Sequence, residues 1–264
     1  MTHLRVSIEA NEEQQEILIS QLEDLNVVGF EQTQEQLLAY FDEDKFISNE
    51  VKELLKGYKF VWDTVAQQNW NEVWESNFEP VIVDNLCSVR AEFHASIKGP
   101  QYEIIITPKM SFGTGHHETT YMMIDAMRDI NFTGKTVFDF GTGTGILAIL
   151  ASKMGAASIT ATDVDEWSIT NAKENFQKND VKNINLYQSS IIPKETFDVI
   201  LANINRNVLV QYASTLVNIL SEKGILLISG LLKEDEKIIV ESFSALQLKY
   251  TKQKGNWMAF LFHR

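Results

Sequence analysis

The chain has a single cysteine, Cys87, among its 264 residues. One cysteine cannot form an intrachain disulfide, and without a second cysteine a metal site built from several thiolates is excluded. The chain also lacks an apolar run long enough to span a membrane, because Lys153 interrupts the longest candidate. Residues 1–5 show no signal-peptide apolar core. We therefore expect a cytoplasmic protein without disulfides or membrane contacts.

Basic residues are scarce as well: 23 lysines and arginines face 36 aspartates and glutamates, for a net charge of −13. Broad binding to a nucleic-acid backbone requires a basic surface, so we expect no direct binding to nucleic acid. The same charge suits a basic protein partner, although acidity also serves solubility alone. The length and the hydrophobic content of 44% allow one large domain or two smaller ones, and we expect a monomer.

Histidines number five, and two of them, His116 and His117, are adjacent. Neighbouring residues on a loop seldom bind the same ion, and no second histidine or carboxylate cluster has the spacing of metal ligands. The sequence therefore predicts no metal centre.

Residues 136–167 form the most informative stretch. A short apolar run predicts a buried strand, and it ends in three alternating glycines, Gly141, Gly143 and Gly145. Glycine lets the backbone turn tightly and approach a ligand closely. Residues 146–154 then have helical spacing, and the free N–H groups at the start of such a helix attract a carboxylate or phosphate.

The spacing between this glycine turn and the next acidic residue is also informative. Asp163 lies 22 residues after Gly141, at the end of the next apolar run, where a carboxylate can accept both hydroxyls of a ribose. The dinucleotide pattern requires a third small residue where this chain has Ile146. The observed spacing instead resembles the first motif of S-adenosylmethionine-dependent methyltransferases of the seven-strand class. We expect this cofactor to bind at Gly141, Gly143 and Asp163.

The chain divides near residue 65. Residues 1–65 predict a small α+β domain of ferredoxin-like βαββαβ order, with helices over 12–25 and 46–55. Residues 66–80 predict a linker helix, and residues 81–264 predict an α/β domain with a doubly wound, Rossmann-like seven-strand sheet behind a hairpin-like entrance of short strands. Because residues 1–65 carry no catalytic cluster, we interpret them as a substrate-recognition domain, with a purely structural role as the alternative.

A second glycine-rich loop covers residues 110–120. It precedes a predicted helix, and the hydroxyls of Thr119 and Thr120 are expected to cap the free N–H groups at its start. Phe112 is expected to exclude water from the cofactor, with a core role as the alternative. An ordered loop over the cofactor is the interpretation that this composition favours.

These residues resemble the ribosomal protein methyltransferase family known as PrmA. The resemblance covers nearly the whole chain and is most specific in the F-G-T-G-x-H-x-T-T loop, the glycine turn and the segment after the fourth strand of the large sheet. The matching positions include Trp70, Trp74, Phe112, Gly113, His117, Thr119, Thr120, Asp139, Gly141, Gly143, Gly145, Asp163, Asp165, Asn203, Asn207 and Gly230.

The resemblance implies methyl transfer from S-adenosylmethionine to amino groups of the eleventh protein of the large ribosomal subunit. These would be lysine ε-amines and possibly the N-terminal α-amine. It also implies that Thr120, Gly141, Asp163 and Asn203 hold the cofactor. A methyltransferase of the same fold acting on another protein, a small molecule or RNA is the first alternative. A non-catalytic binder of an adenosyl ligand is the second.

Asn203 is also the candidate catalytic residue. It follows the predicted strand at 197–202, at the end where open α/β sheets bind ligands. Its carbonyl groups can accept hydrogen bonds from an amine and aim the lone pair, whereas a simple chain-turning role is the alternative. The sequence departs from the family's pattern at Thr142, where cysteine is usual, and at Asn205 and Arg206 beside the presumed acceptor site.

Overall fold

The computed structural model divides the chain into two compact units, residues 1–77 and 78–264. The predicted linker helix at 66–80 falls almost wholly outside the described residues. The structure describes residues 3–22, 25, 27–33, 35–42, 46, 48–65, 79–107, 115 and 117–264.

The first unit is a four-stranded antiparallel sheet with two helices. Its strand order is β2-β3-β1-β4, which is the ferredoxin-like arrangement predicted from the sequence. Alternating strand residues such as Val6, Ile8 and Leu37 are fully buried and pack against Leu18 and Leu22 of the first helix. The elements are β1 His3–Glu9, α1 Glu12–Leu22, β2 Val27–Gln32, β3 Gln36–Asp42, α2 Ser48–Leu54 and β4 Phe60–Val65.

Three short strands open the second unit: β5 Val81–Val83, β6 Cys87–Ala91 and β7 Tyr102–Ile106. The predicted hairpin covers only the first pair, which is antiparallel, because β7 runs parallel to β6. An ion pair between Arg90 and Glu103 joins the parallel pair at 2.9 Å. That guanidinium lowers the pKa of Glu103 to about 2.

The large sheet has seven strands in the order β10-β9-β8-β11-β12-β14-β13. The first five are parallel, and β14 pairs antiparallel with both β12 and β13. The chain proceeds outward from β8 in one direction and then resumes at β11 in the other, so the crevice at the carboxyl ends of these two strands is a topological switch point. The strands are β8 Thr136–Phe140, β9 Ser158–Asp163, β10 Ile184–Gln188, β11 Phe197–Asn203, β12 Leu220–Leu232, β13 Gln247–Lys254 and β14 Trp257–His263.

Helices cover both faces of this sheet. Val137 of β8 packs in one layer with Met123 and Ile149, whereas its neighbour Phe138 packs in the other with Leu209 and Ile239. The doubly wound, Rossmann-like prediction is therefore confirmed. None of the described helices is long and apolar enough to cross a membrane. The helices are α3 Glu118–Met127, α4 Ile146–Lys153, α5 Glu166–Lys178, α6 Arg206–Asn218 and α7 Glu236–Ser242.

Candidate active site

The glycine turn connects β8 to α4. Gly141, Gly143 and Gly145 have φ values of 75°, 54° and 80°, all in the left-handed region that side-chain-bearing residues disfavour. The backbone N–H groups of Gly141 and Thr142 both donate to the carbonyl of Thr162, each at 2.9 Å. The predicted tight turn is thus present, and it is fastened to the end of the neighbouring strand β9.

Two of these glycines also lack room for a side chain. A Cβ on Gly141 would lie 2.3 Å from Cγ2 of Ile204, and a Cβ on Gly145 would lie 2.4 Å from Cε1 of Phe176. Real Cβ atoms do not tolerate such distances. The glycine turn therefore packs closely against both the segment after β11 and one face of α5.

Asp163 ends β9 beside the turn and is half-buried. Its carboxylate accepts a hydrogen bond from the backbone N–H of Gly143 at 2.8 Å and another from that of Asp165 at 3.1 Å. Asp165 in turn caps α5 by accepting from the N–H of Ser168. The acidic tip predicted from the sequence is thus directly attached to the glycine turn.

Asp139 lies under the turn and is 1% exposed. Burial, opposed by the hydrogen bond from Thr142 and reinforced by the charge of Asp163, raises the pKa of Asp139 to about 7. The Thr142 hydroxyl donates to Asp139 Oδ2 at 2.6 Å. The residue that departs from the family's usual cysteine therefore bonds directly to this buried carboxyl group.

Asn203 is the last residue of β11 and is 9% exposed. Parallel pairing sets Ala202 opposite Phe140 of β8, so Asn203 lies beside the start of the glycine turn. Its side-chain amide donates to the hydroxyl of Thr120 at 3.3 Å. The structure thereby brings together Asn203 and Thr120, two residues that are 83 positions apart in the sequence.

The capping role predicted for Thr119 and Thr120 belongs instead to His117. His117 is the N-cap of α3, and its Nδ1 accepts from the backbone N–H of Thr119. Both threonines are already inside the first turn and are buried; the hydroxyl of Thr119 lies 2.7 Å from His117 Nδ1, and that of Thr120 accepts from Asn203. The His117 ring also packs edge-on against Trp257 at a centroid distance of 4.6 Å. Sequence inspection could not predict this ring contact, because Trp257 lies on the distant strand β14.

Unpaired buried polar atoms concentrate at the same place. Among the described residues, four buried side-chain atoms lack a hydrogen-bond partner, and three of them belong to Asp139, Thr162 and Asn203. These residues lie at the carboxyl ends of the adjacent strands β8, β9 and β11. Buried polar groups are normally paired, and exceptions require an explanation such as a ligand. The donor and acceptor set, together with the glycine turn, fits the amino, carboxylate and ribose groups of S-adenosylmethionine.

The segment after β11 is fixed by a second close approach. A Cβ on Gly230 would lie 2.3 Å from the carbonyl oxygen of Ile204, and the N–H of Ile204 donates to the carbonyl of Ser229 at 3.2 Å. Arg206 follows at the start of α6 and pairs with the buried carboxylate of Asp235 at 3.0 Å. The sequence singled out Gly230 and Arg206, but only the structure shows that both hold the backbone next to Asn203.

Two further predictions for this region concern Phe112 and a metal centre. Phe112 lies outside the described residues, so its expected role in excluding water stays a prediction. No group of three or more histidine, cysteine, aspartate or glutamate residues within the described part of the chain could hold a metal ion.

Comparison with known proteins agrees with this geometry. A protein of Porphyromonas gingivalis named ribosomal protein L11 methyltransferase is 39% identical, over 94% of this chain and 90% of its own length. One of the same name from Chlorobaculum tepidum is 33% identical, over 98% of this chain and 96% of its own length. The crystal structure of a ribosomal protein L11 methylase from Lactobacillus delbrueckii subsp. bulgaricus covers 71% of this chain and 99% of its own, with 28% identity and a TM-score of 0.66.

The profile of a whole family also matches. Its description is "Ribosomal protein L11 methyltransferase (PrmA)", and it aligns with residues 2–264. The resemblance seen in the two glycine-rich loops is confirmed. The chain belongs to the PrmA family of ribosomal protein L11 methyltransferases.

Proposed function

We propose that this protein transfers methyl groups from S-adenosylmethionine to amino groups of ribosomal protein L11. The acceptors would be lysine ε-amines and the N-terminal α-amine. Family membership supports the reaction and the substrate. The net charge of −13 supports a basic protein as the partner, because opposite charge speeds encounter. Methylation of a ribosomal protein points to the cytoplasm.

The observation that carries the proposal is the unpaired side-chain oxygen of Asn203. It is buried at the switch point of the sheet, while the nitrogen of the same amide is held by Thr120. In this orientation the side-chain oxygen of Asn203 is a free acceptor. An amine is a donor, so the oxygen can bind its N–H and leave the nitrogen lone pair to point at the methyl group.

Residues of the turn would hold the cofactor. The left-handed glycines bring backbone N–H groups to the start of α4, where a carboxylate is favoured. Asp163 would exchange its bond to Gly143 for the ribose hydroxyls or share it with them. Two exposed apolar residues that sequence inspection overlooked, Val164 and Ile191, follow the ends of β9 and β10 and offer surface for the adenine ring.

Methyl transfer depends more on the position of the acceptor amine than on acid or base catalysis. S-adenosylmethionine supplies a methyl group on a sulfonium, and the amine forms the N–C bond as the C–S bond breaks and its electron pair stays on sulfur. A lysine amine must first lose a proton to water, since its ordinary pKa is about 10.4. Asn203 then contributes by alignment, and a well-aligned intramolecular arrangement can lower a barrier by about 7–11 kcal/mol.

The first unit would recruit the substrate protein. Its described residues contain one buried polar side chain, Gln15, and no unpaired buried side-chain atom. Within its described residues, the hydrogen-bonded interior of this separate unit supports recognition of L11 as its role.

The test is methyl transfer to defined substrates. Purified enzyme, labelled S-adenosylmethionine and unmodified L11 should give labelled L11, with label on lysine and N-terminal amines after peptide mapping. Free ribosomal RNA and a small basic protein of equal charge serve as controls. Label on RNA, or equal labelling of the unrelated basic protein, would contradict the proposal.

A further inference from the structure

Helix α5 and its C-cap carry three asparagines at four-residue intervals, Asn171, Asn175 and Asn179. All three are buried, with exposures of 1%, 0% and 9%. Spacing by four places them on one helix face. Asparagine is a poor helix former, and its burial is costly unless every polar group is bonded. A buried row of this kind therefore calls for a purpose beyond helix formation.

Asn175 connects two parts of the second unit that are far apart in sequence. Its side-chain nitrogen donates to the backbone carbonyl of Thr144 in the glycine turn at 2.8 Å and to Asn171 Oδ1 at 3.3 Å. Its side-chain oxygen accepts from the backbone N–H of Thr107 at 2.7 Å. Both donors of this amide and one lone pair of its oxygen are thus engaged.

The two anchors lie at functional positions in the chain. Thr144 is the residue before Gly145, the left-handed N-cap of α4, so its carbonyl belongs to the peptide that sets the direction of that helix start. Thr107 directly follows β7 and directly precedes, in sequence, the stretch that leads to the second glycine-rich loop. Its hydroxyl is also bonded to α5, through Glu174 at 2.6 Å.

Asn179 provides a natural comparison one helical turn later. Its side chain donates to the carbonyl of Ile105 at 2.6 Å and accepts from the N–H of Ile105 at 3.0 Å. It therefore ties the end of α5 to β7, much as Asn175 ties the helix to the residue after β7. These bonds, and a third to the carbonyl of Asn175, all lie away from the glycine turn.

We propose that Asn175 is a positioning residue for the cofactor, which locks the Thr144–Gly145 peptide of the glycine turn against the end of β7. The proposal rests on the proposed function only in taking S-adenosylmethionine as the ligand of that turn. The tight packing of Gly145 against Phe176 and Ala172 of the same helix supports it independently. Removal of the amide would release its hold on the Thr144 carbonyl, and the N–H groups facing the cofactor would lose their fixed direction.

The test compares three variants: Asn175→Ala, Asn175→Asp and Asn179→Ala. Calorimetric titration with S-adenosylmethionine gives the Kd, thermal unfolding gives the stability, and transfer to L11 gives kcat and KM. Asn175→Ala should raise the cofactor Kd at least 10-fold. Asn179→Ala should lower the melting temperature by a similar amount but change the Kd less than 3-fold. KM for L11 should stay near the wild-type value in both.

Asn175→Asp separates the two anchors and guards against misfolding of the alanine variant. It has the same shape and keeps an acceptor for Thr107, but it cannot donate to Thr144 when ionised. At a pH high enough to ionise this buried carboxyl, it should raise the cofactor Kd as Asn175→Ala does; while it is protonated it can still donate to Thr144. A wild-type Kd in Asn175→Ala or in the ionised Asn175→Asp, or equal weakening by Asn179→Ala, would overturn the proposal. A wild-type enzyme that binds the cofactor but leaves L11 unlabelled would refute the proposed substrate and leave this inference intact.

Discussion

Each unit of the chain buries a side-chain amide, Gln15 in the first and Asn203 in the second, and only Gln15 has both its nitrogen and its oxygen hydrogen-bonded. Gln15 of the first unit is fully buried, and its nitrogen donates to the carbonyls of Ala10 and Thr33 while its oxygen accepts from Gln32. Asn203 of the second unit donates to Thr120, but its oxygen has no partner. An unsatisfied buried acceptor costs stability, and a ligand that completes the bond explains the one at Asn203.

The same contrast extends to the backbone. Gly57 of the first unit has a left-handed φ of 107° with open space around it, as expected of a simple turn. Gly141 and Gly145 of the second unit combine a left-handed φ with neighbours that exclude any side chain. Within the described residues, the first unit has no unpaired buried side-chain atom, whereas three of the four in the second unit lie at the switch point together with the crowded Gly141.

The largest expected effect is on substrate use by a shortened chain. Deletion of residues 1–77, a unit with a separate core, should abolish methylation of full-length L11 while the Kd for S-adenosylmethionine stays within 3-fold. Radiolabel transfer and calorimetry measure the two quantities. Full activity of the shortened enzyme would show that the first unit does not recruit the substrate. Loss of cofactor binding in a folded product would show that the site crosses the boundary.

Replacement of Asp163 should affect cofactor binding next most strongly. Asp163→Ala removes a charged acceptor from ribose hydroxyls and also frees the N–H of Gly143, so affinity should fall by roughly 1.5–3 kcal/mol. Asp165→Ala is the matched control, because it deletes a nearby carboxylate whose side chain caps α5. Equal losses of affinity in the two variants would remove Asp163 from the site.

The crowding at Gly141 can be separated from its backbone conformation. Gly134 has a similar φ of 71°, but a Cβ added there would meet nothing within 4 Å, whereas at Gly141 the Cβ would meet Ile204. Gly134→Ala should cost about 1–2 kcal/mol of unfolding free energy from the left-handed backbone alone. Gly141→Ala should cost about 1–3 kcal/mol more from overpacking. Denaturant unfolding measures both costs, and equal costs would mean that the turn can accommodate a Cβ atom at Gly141.

The remaining expected effect is a pH dependence of stability. Asp139 keeps its proton in the folded protein up to about pH 7, whereas an unfolded aspartate loses it near a pKa of about 3.9. The folded state therefore binds more protons between these values, and the free energy of unfolding should fall as pH rises through that window, by at most about 1.4 kcal/mol per pH unit from this group. Asp139→Asn should flatten the curve there. An unchanged slope would mean that Asp139 is ionised when folded.

Sequence patterns predicted those features that short stretches of chain determine. Alternating apolar residues indicated the strands, and the spacing of Gly141, Gly143 and Gly145 indicated the turn, since glycine adopts left-handed conformations without steric cost. The contact of Asp163 with Gly143 could be predicted because both residues belong to one βαβ segment.

What the sequence could not indicate depends on distant partners. The ring of His117 packs against Trp257, 140 residues later, and the bridge made by Asn175 spans 31 residues to Thr144 and 68 to Thr107. Buried asparagines resemble surface asparagines in a sequence, because periodicity reports burial only for apolar residues. Only the packed fold shows which amides are satisfied.

The most direct measurement concerns the unpaired oxygen of Asn203. Single-turnover methyl transfer to L11 at saturating cofactor should be slower in Asn203→Ala by on the order of 100-fold, with a smaller loss of cofactor affinity. Asn218→Ala, an exposed asparagine at the far end of α6, should react at the wild-type rate. A wild-type single-turnover rate in Asn203→Ala would contradict the central claim that this buried acceptor aligns the amine.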